Sequence, residues 1–64
     1  MKDYQERVVE EKKALDEKIE KLDKFLNFPK DRGINLAEEC RMKRQLFFMR
    51  EYSTVLGERI DDFE

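Results

Sequence analysis

Apolar residues recur at helical spacing along two stretches of the chain, separated by one polar break. In the first, Tyr4, Val8, Leu15, Ile19, Leu22 and Leu26 fall on one face at 3.6 residues per turn, with neither glycine nor proline between Asp3 and Leu26. The pattern predicts a helix over about residues 3–27, about 36 Å long at the α-helical rise. In the second, Met42, Leu46, Met49, Leu56, Ile60 and Phe63 form a stripe with the small Ser53 inside it, predicting a helix over about residues 35–62. The break, a loop over about residues 28–34, holds the only proline, Pro29, and one of the two glycines, Gly33. Phe28 and Ile34 are expected to pin it. Asn35, followed three residues later by Glu38, has the form of a capping box that starts the second helix. So short a connection makes the two helices antiparallel neighbours. Gly57 interrupts the second helix at about 1 kcal/mol relative to alanine and leaves room for a close helix approach.

The fold class is therefore all-α: one domain, residues 1–64, forming a two-helix antiparallel hairpin. A chain of this length buries too little surface to be secure alone. Cys40 is the only cysteine and there is no histidine, so neither disulfides nor a common transition-metal site can staple it, and no metal or cofactor is expected. Assembly into a homo-oligomeric helical bundle is the remaining route. The apolar pattern points the same way. Phe48, Tyr52 and Val55 make a second stripe beside the main one of helix two, while Phe47 projects to roughly the opposite side with Cys40 and Leu36. One partner helix cannot cover all of these, and large exposed apolar groups mark an interaction surface. Cys40 is expected to pack as a small hydrophobe. A lone thiol suits a reducing compartment, and neither a signal-peptide core nor a membrane-spanning stretch is visible, so the expected location is cytoplasmic.

Charge changes the picture further. Charged residues make up 47% of the chain, yet the net charge is only −2, which argues against a partner that is a nucleic-acid polymer held by a basic surface. Much of the charge is solvated helix face, with Glu17 and Lys21, Glu20 and Lys24, and Glu39 and Lys43 as acid-first i,i+4 pairs. Two flanks mix cations with aromatics. On helix one the flank is Arg7, Glu11, Lys18, Lys21 and Phe25, beside the Tyr4 end of the stripe; on helix two it is Arg41, Arg44, Gln45, Tyr52 and Arg59. Such a mixture can stack a base and hold a phosphate, but from the residues alone it is more often an interface rim, where Arg and Tyr are enriched. No catalytic constellation is visible: histidine is absent, no glycine-rich phosphate loop occurs, and Ser53 and Thr54 lack an evident base. The chain is not expected to be an enzyme.

The run Tyr4-Gln5-Glu6-Arg7-Val8-Val9-Glu10-Glu11-Lys12, continuing through Leu15-Asp16-Glu17-Lys18-Ile19-Glu20-Lys21-Leu22, opens a longer pattern that includes Arg44-Gln45, Met49, Tyr52-Ser53, Leu56 and Arg59-Ile60. This pattern resembles a small phage protein family, the helical hairpin of anti-CBASS and anti-Thoeris sponge proteins. The resemblance implies a non-enzymatic, hexameric protein acting in the host bacterial cytoplasm, which sequesters cyclic oligonucleotide signals before they activate antiphage defence. It further implies that Tyr4 stacks on a base across a subunit interface and that either Lys18 or Lys21 holds phosphate. Arg44, Gln45 and Arg59 are the nearest equivalents of residues that line trinucleotide pockets in relatives. Because the chain is little more than the hairpin, cyclic di- or trinucleotides are expected ahead of cyclic ADP-ribose products. The loop cations Lys30 and Arg32 could rim a pocket or be solvated. A reading from a different class is a structural or protein-binding α-hairpin that docks its apolar stripe on a host or phage protein.

Overall fold

The computed structural model describes residues 1–28 and 33–64. Two helices, α1 (Asp3–Asn27) and α2 (Leu36–Asp61), pack side by side as a hairpin. The rod measures 47 × 14 × 14 Å. Antiparallel pairing leaves an open end, where the start of α1 meets the end of α2, and a closed end at the connection. Pro29, Lys30, Asp31 and Arg32, to which the sequence reading assigned a chain break and a possible pocket rim, lie outside the described residues.

The helix ends are built locally. At the start of α1 the Gln5 side-chain oxygen accepts the Lys2 backbone N–H at 3.0 Å, and Lys2 N–H is then no longer an orphan. At the start of α2 the Asn35 side-chain oxygen accepts the Glu38 N–H at 2.8 Å. Glu38 does not complete the expected box, because its carboxylate takes the Arg41 guanidinium at 2.9 Å. Gly33, with φ of 69°, turns the backbone through the left-handed region just before this cap, a conformation that costs glycine nothing. Past α2, the Asp62 and Phe63 N–H groups bond to Arg59 and Ile60 oxygens. That tight turn folds Phe63 back over the open end, where its ring meets Tyr4 edge-on, centroids 5.9 Å apart.

The seam between the helices obeys a heptad rule more strictly than the apolar residues alone reveal. On α2 the main stripe packs inward as expected: Leu46, Ser53 and Leu56 are buried, Met49, Ile60 and Phe63 pack beside them, and Met42 is half-buried. Its spacings alternate four and three residues, the geometry of shallow-angle helix pairing. On α1 the inward positions are Gln5, Val8, Lys12, Leu15, Ile19, Leu22 and Leu26, again alternating three and four. Two of the seven are polar. Gln5, not Tyr4, occupies the first seam position and is 3% exposed, whereas Tyr4 is 48% exposed. This corrects the expectation that Tyr4 lies in the core stripe.

At the second polar position Lys12 faces Ser53. Its ammonium donates to the Ser53 hydroxyl at 2.9 Å and to one Asp16 oxygen at 3.0 Å, and the Ser53 hydroxyl donates to the other Asp16 oxygen at 2.5 Å. The three groups close a ring of hydrogen bonds across the hairpin. Gly57 makes room for it: a Cβ there would stand 3.3 Å from the Lys12 Cε. The close approach at Gly57 is thus to a lysine stem. Other apolar expectations give way too. Cys40, expected to pack as a small hydrophobe, is exposed in the single chain, and the expectation that Phe28 pins the loop falls on residues 29–32, outside the described residues. Phe47 and Phe48, expected on different sides, touch edge-to-face with centroids 5.3 Å apart.

Hydrogen bonds from Ser53 and Lys12 hold the Asp16 carboxyl below its ordinary range. A carboxylate whose folded pKa is depressed adds stability above its unfolded pKa, and that contribution is lost as pH falls through the folded value. The natural chain should therefore lose more thermal stability between pH 5 and pH 2 than Asp16→Asn, as read by melting curves across that interval. Parallel losses in the two proteins would contradict it.

Candidate functional site

The cations divide into two sets. Lys12, Lys24, Arg41, Lys43 and Arg50 form ion pairs with Asp16, Glu20, Glu38, Glu39 and Asp23. Among the described residues, Arg7, Lys18, Lys21, Arg44 and Arg59, the five cations expected at a ligand site, form none, nor do Lys2 and Lys13. Exposed pairs contribute little to stability. Their relevance is to availability: an unpaired, exposed cation can meet an anionic ligand without first giving up a partner.

The two arginines at the open end have acidic company. Arg7 shares an open hollow of about 470 Å³ with Asp3, Glu6 and Glu10. Arg59 shares another, of about 380 Å³, with Val55, Glu58, Asp61 and Asp62. Three carboxylates around each guanidinium make these hollows poor phosphate sites in one chain, since the surrounding charge repels an anion. Lys18, Lys21 and Arg44 are exposed and do not line these acid-rimmed hollows. Gln45 is also exposed, its amide nitrogen 3.8 Å from the Met49 sulfur.

The rings are distributed along the rod. Tyr4 rests one edge on Phe63 at the open end, and its hydroxyl lies 3.5 Å from the Gln5 amide nitrogen. Tyr52 is 44% exposed, and Phe47 and Phe48 are 58% and 62% exposed. The cross-helix contacts of Asp16 with Ser53 and of Asp23 with Arg50 bracket Lys18 and Lys21, placing them at the level of Tyr52. Tyr4, by contrast, is about 21 Å from Lys18 and about 26 Å from Lys21 along α1. The fold therefore gathers Tyr4, Arg7 and Arg59 at one end and Lys18, Lys21 and Tyr52 midway, with Arg44 and Gln45 nearer the connection. Among the described residues, neither of the two open-end hollows unites them.

A family model described as Sequestin matches residues 2–62. The chain belongs to the Sequestin family. The match spans both helices and every site residue named above. The family's name suggests sequestration of a ligand, which fits a surface carrying unpaired cations and exposed rings. No curated protein and no solved structure matches the chain. Among the described residues no helix is long and apolar enough to cross a membrane, and no cluster of metal-ligating side chains occurs.

The apolar pattern does not reveal the two polar seam residues, Gln5 and Lys12, or the exposed Asp16 that bonds Lys12 and Ser53 at the seam's edge. A signal for Lys12 existed. Val8 and Leu15 are seven residues apart, one full heptad, so the position between them belongs to the seam whatever residue occupies it.

Proposed function

We propose that this sequestin is a phage-encoded sponge that binds cyclic di- or trinucleotides between subunits of a homo-oligomer, a hexamer, without cleaving them. Acting in the host bacterial cytoplasm, it would withdraw the signal of CBASS-type antiphage defence. The observation that carries this reading is the distance between the parts. An aromatic platform at Tyr4 and phosphate-seeking lysines at Lys18 and Lys21 are separated by more than 20 Å along one helix, many times the ~3.4 Å rise between stacked nucleotides. A small ligand can use both kinds of group only if they come from different copies. The exposed Phe47, Phe48, Tyr52 and Val55 supply a reason for copies to meet. Family membership supports sequestration as the outcome.

In this assembly Tyr4 stacks on a base and Lys18 or Lys21 neutralises phosphate by charge-assisted hydrogen bonds. Arg7 and Arg59 act only where a neighbour's cations offset their acidic surroundings. Arg44, Gln45 and Tyr52 line a second pocket on the α2 side. Since the reading requires no bond to break, no general base is needed, and the ligand leaves unchanged.

Isothermal calorimetry with a panel of cyclic di- and trinucleotides tests this, at a concentration where native mass spectrometry shows the oligomer. At least one member should give saturable heat and be recovered intact after denaturation. Tyr4→Ala should weaken that binding by about 1–3 kcal/mol, the worth of one aromatic stack on a base. No heat with any member overturns the reading, and recovery of a hydrolysed nucleotide overturns its non-cleaving part. The touching Phe47 and Phe48 rings also favour a second reading, a hairpin that docks on another protein through hot-spot aromatics. There, Tyr4→Ala leaves function intact.

A further inference from the structure

Between Val8 and Leu26 the α1 side of the seam is apolar except at Lys12, which faces Ser53, with Asp16 closing the ring of hydrogen bonds between them; Gln5, the other polar seam residue, lies beyond this stretch at the open end. The surroundings make this placement informative. Val8, Leu15 and Leu56 form the buried cluster of the same seam, so an apolar pair at positions 12 and 53 would continue the heptad without interruption. An uninterrupted apolar heptad is degenerate: sliding one helix past the other by seven residues, or pairing α1 with α1 of another copy, still buries apolar side chains. The Lys12–Ser53–Asp16 ring removes that degeneracy. In a slipped register Lys12 would meet an apolar seam residue and keep only Asp16, its neighbour one turn along the same helix, so that Lys12 and Asp16 would each give up the hydrogen bond they make to the Ser53 hydroxyl. Between two α1 helices packed in antiparallel register through this layer, Lys12 would face Lys12.

We propose that the Lys12–Ser53–Asp16 layer is a register lock: it selects α1·α2 pairing in one alignment over slipped and α1·α1 alternatives, at no net gain in stability over an apolar layer. Two features of the chain bear on this directly. Gly57 accepts the helix-propensity penalty of glycine while its missing Cβ clears the path of the Lys12 stem, with the Lys12 Cε 3.3 Å from where a Cβ would stand. And in the natural register Lys12, Ser53 and Asp16 are each hydrogen-bonded to the other two. Single polar layers fix register in coiled coils by the same logic.

The double variant Lys12→Leu/Ser53→Ala, in the full-length chain, tests the lock. The sole native cysteine, Cys40, is exposed and accepts a spin label; Glu17→Cys, on the exposed side of α1, accepts the second. Doubly labelled chain is diluted into excess unlabelled chain so that electron–electron dipolar spectroscopy reads distances within one chain. The chain with Lys12 and Ser53 intact should give one narrow distance. The double variant should keep its helicity and melt at the same or a higher temperature, yet show a second distance population, displaced in keeping with an axial slip of one heptad, about 10 Å. A single narrow distance equal to that of the natural layer overturns the proposal. So does loss of helicity or of thermal stability in the double variant, because the layer would then be stabilising the hairpin rather than selecting its register.

Discussion

Leu56→Ala should remove most of the stability of the hairpin. Among the described residues Leu56 is the most deeply buried, 1% exposed, and it belongs to the cluster with Val8 and Leu15. Truncating a buried leucine costs about 2–5 kcal/mol, the transfer free energy of the lost methyl groups plus the cavity they leave. A core of this size supplies only about 3–5 kcal/mol in total. In a domain this small each kcal/mol is worth roughly 4–8 °C, so melting should fall by ~10 °C or more. Leu36→Ala is the matched control, since Leu36 is exposed at the start of α2 and such surface changes stay within about 0.5 kcal/mol. Equal losses in the two variants, measured by circular dichroism melts, would show that the seam is not where the stability resides.

The second large effect concerns assembly. Phe47→Glu combined with Phe48→Glu should reduce the proposed oligomer to a single chain of 7.9 kDa. Both rings are more than half exposed in the hairpin, so the charges they would introduce are solvated in one chain and buried only between chains. At about 2 kcal/mol for each hot-spot aromatic, association weakens roughly a thousandfold before the cost of burying carboxylates is added. Ligand binding should vanish with assembly, because Tyr4 and the lysines that meet one nucleotide then no longer belong to adjacent copies. Native mass spectrometry and calorimetry on the same sample read the two losses together. An oligomer of unchanged mass would place the subunit contact elsewhere on the rod.

How far the sequence could be read depended on whether a residue's type agreed with its position. The α2 stripe was legible from Met42 to Phe63 because its members are apolar apart from the small Ser53 at seam spacing. On α1, type and position disagree at three residues. Tyr4 is large and aromatic but half exposed, and Gln5 is an amide but buried; the Lys2 N–H and Tyr4 hydroxyl that satisfy Gln5 are set by the local geometry of the helix start. Lys12 looks like surface charge, since its partner Ser53 is 41 residues distant and lysine buries its stem while keeping its ammonium bonded. The cations of the candidate site were visible as types. Which of them stood free was not, because Arg50 looks as available as Arg44 until the packing brings Asp23 to it.

The antiparallel arrangement has a further electrostatic consequence. The open end of the rod carries the N-terminus of α1 and the C-terminus of α2 side by side, so the partial positive charge of one helix macrodipole is offset by the partial negative charge of the other. An anion approaching that end gains little from the backbone field that many phosphate sites exploit. Attraction must come from side chains, and in this chain from those not already engaged. Ligand preference in such a scaffold can then shift by exchange of single exposed residues while the seam that folds it stays untouched.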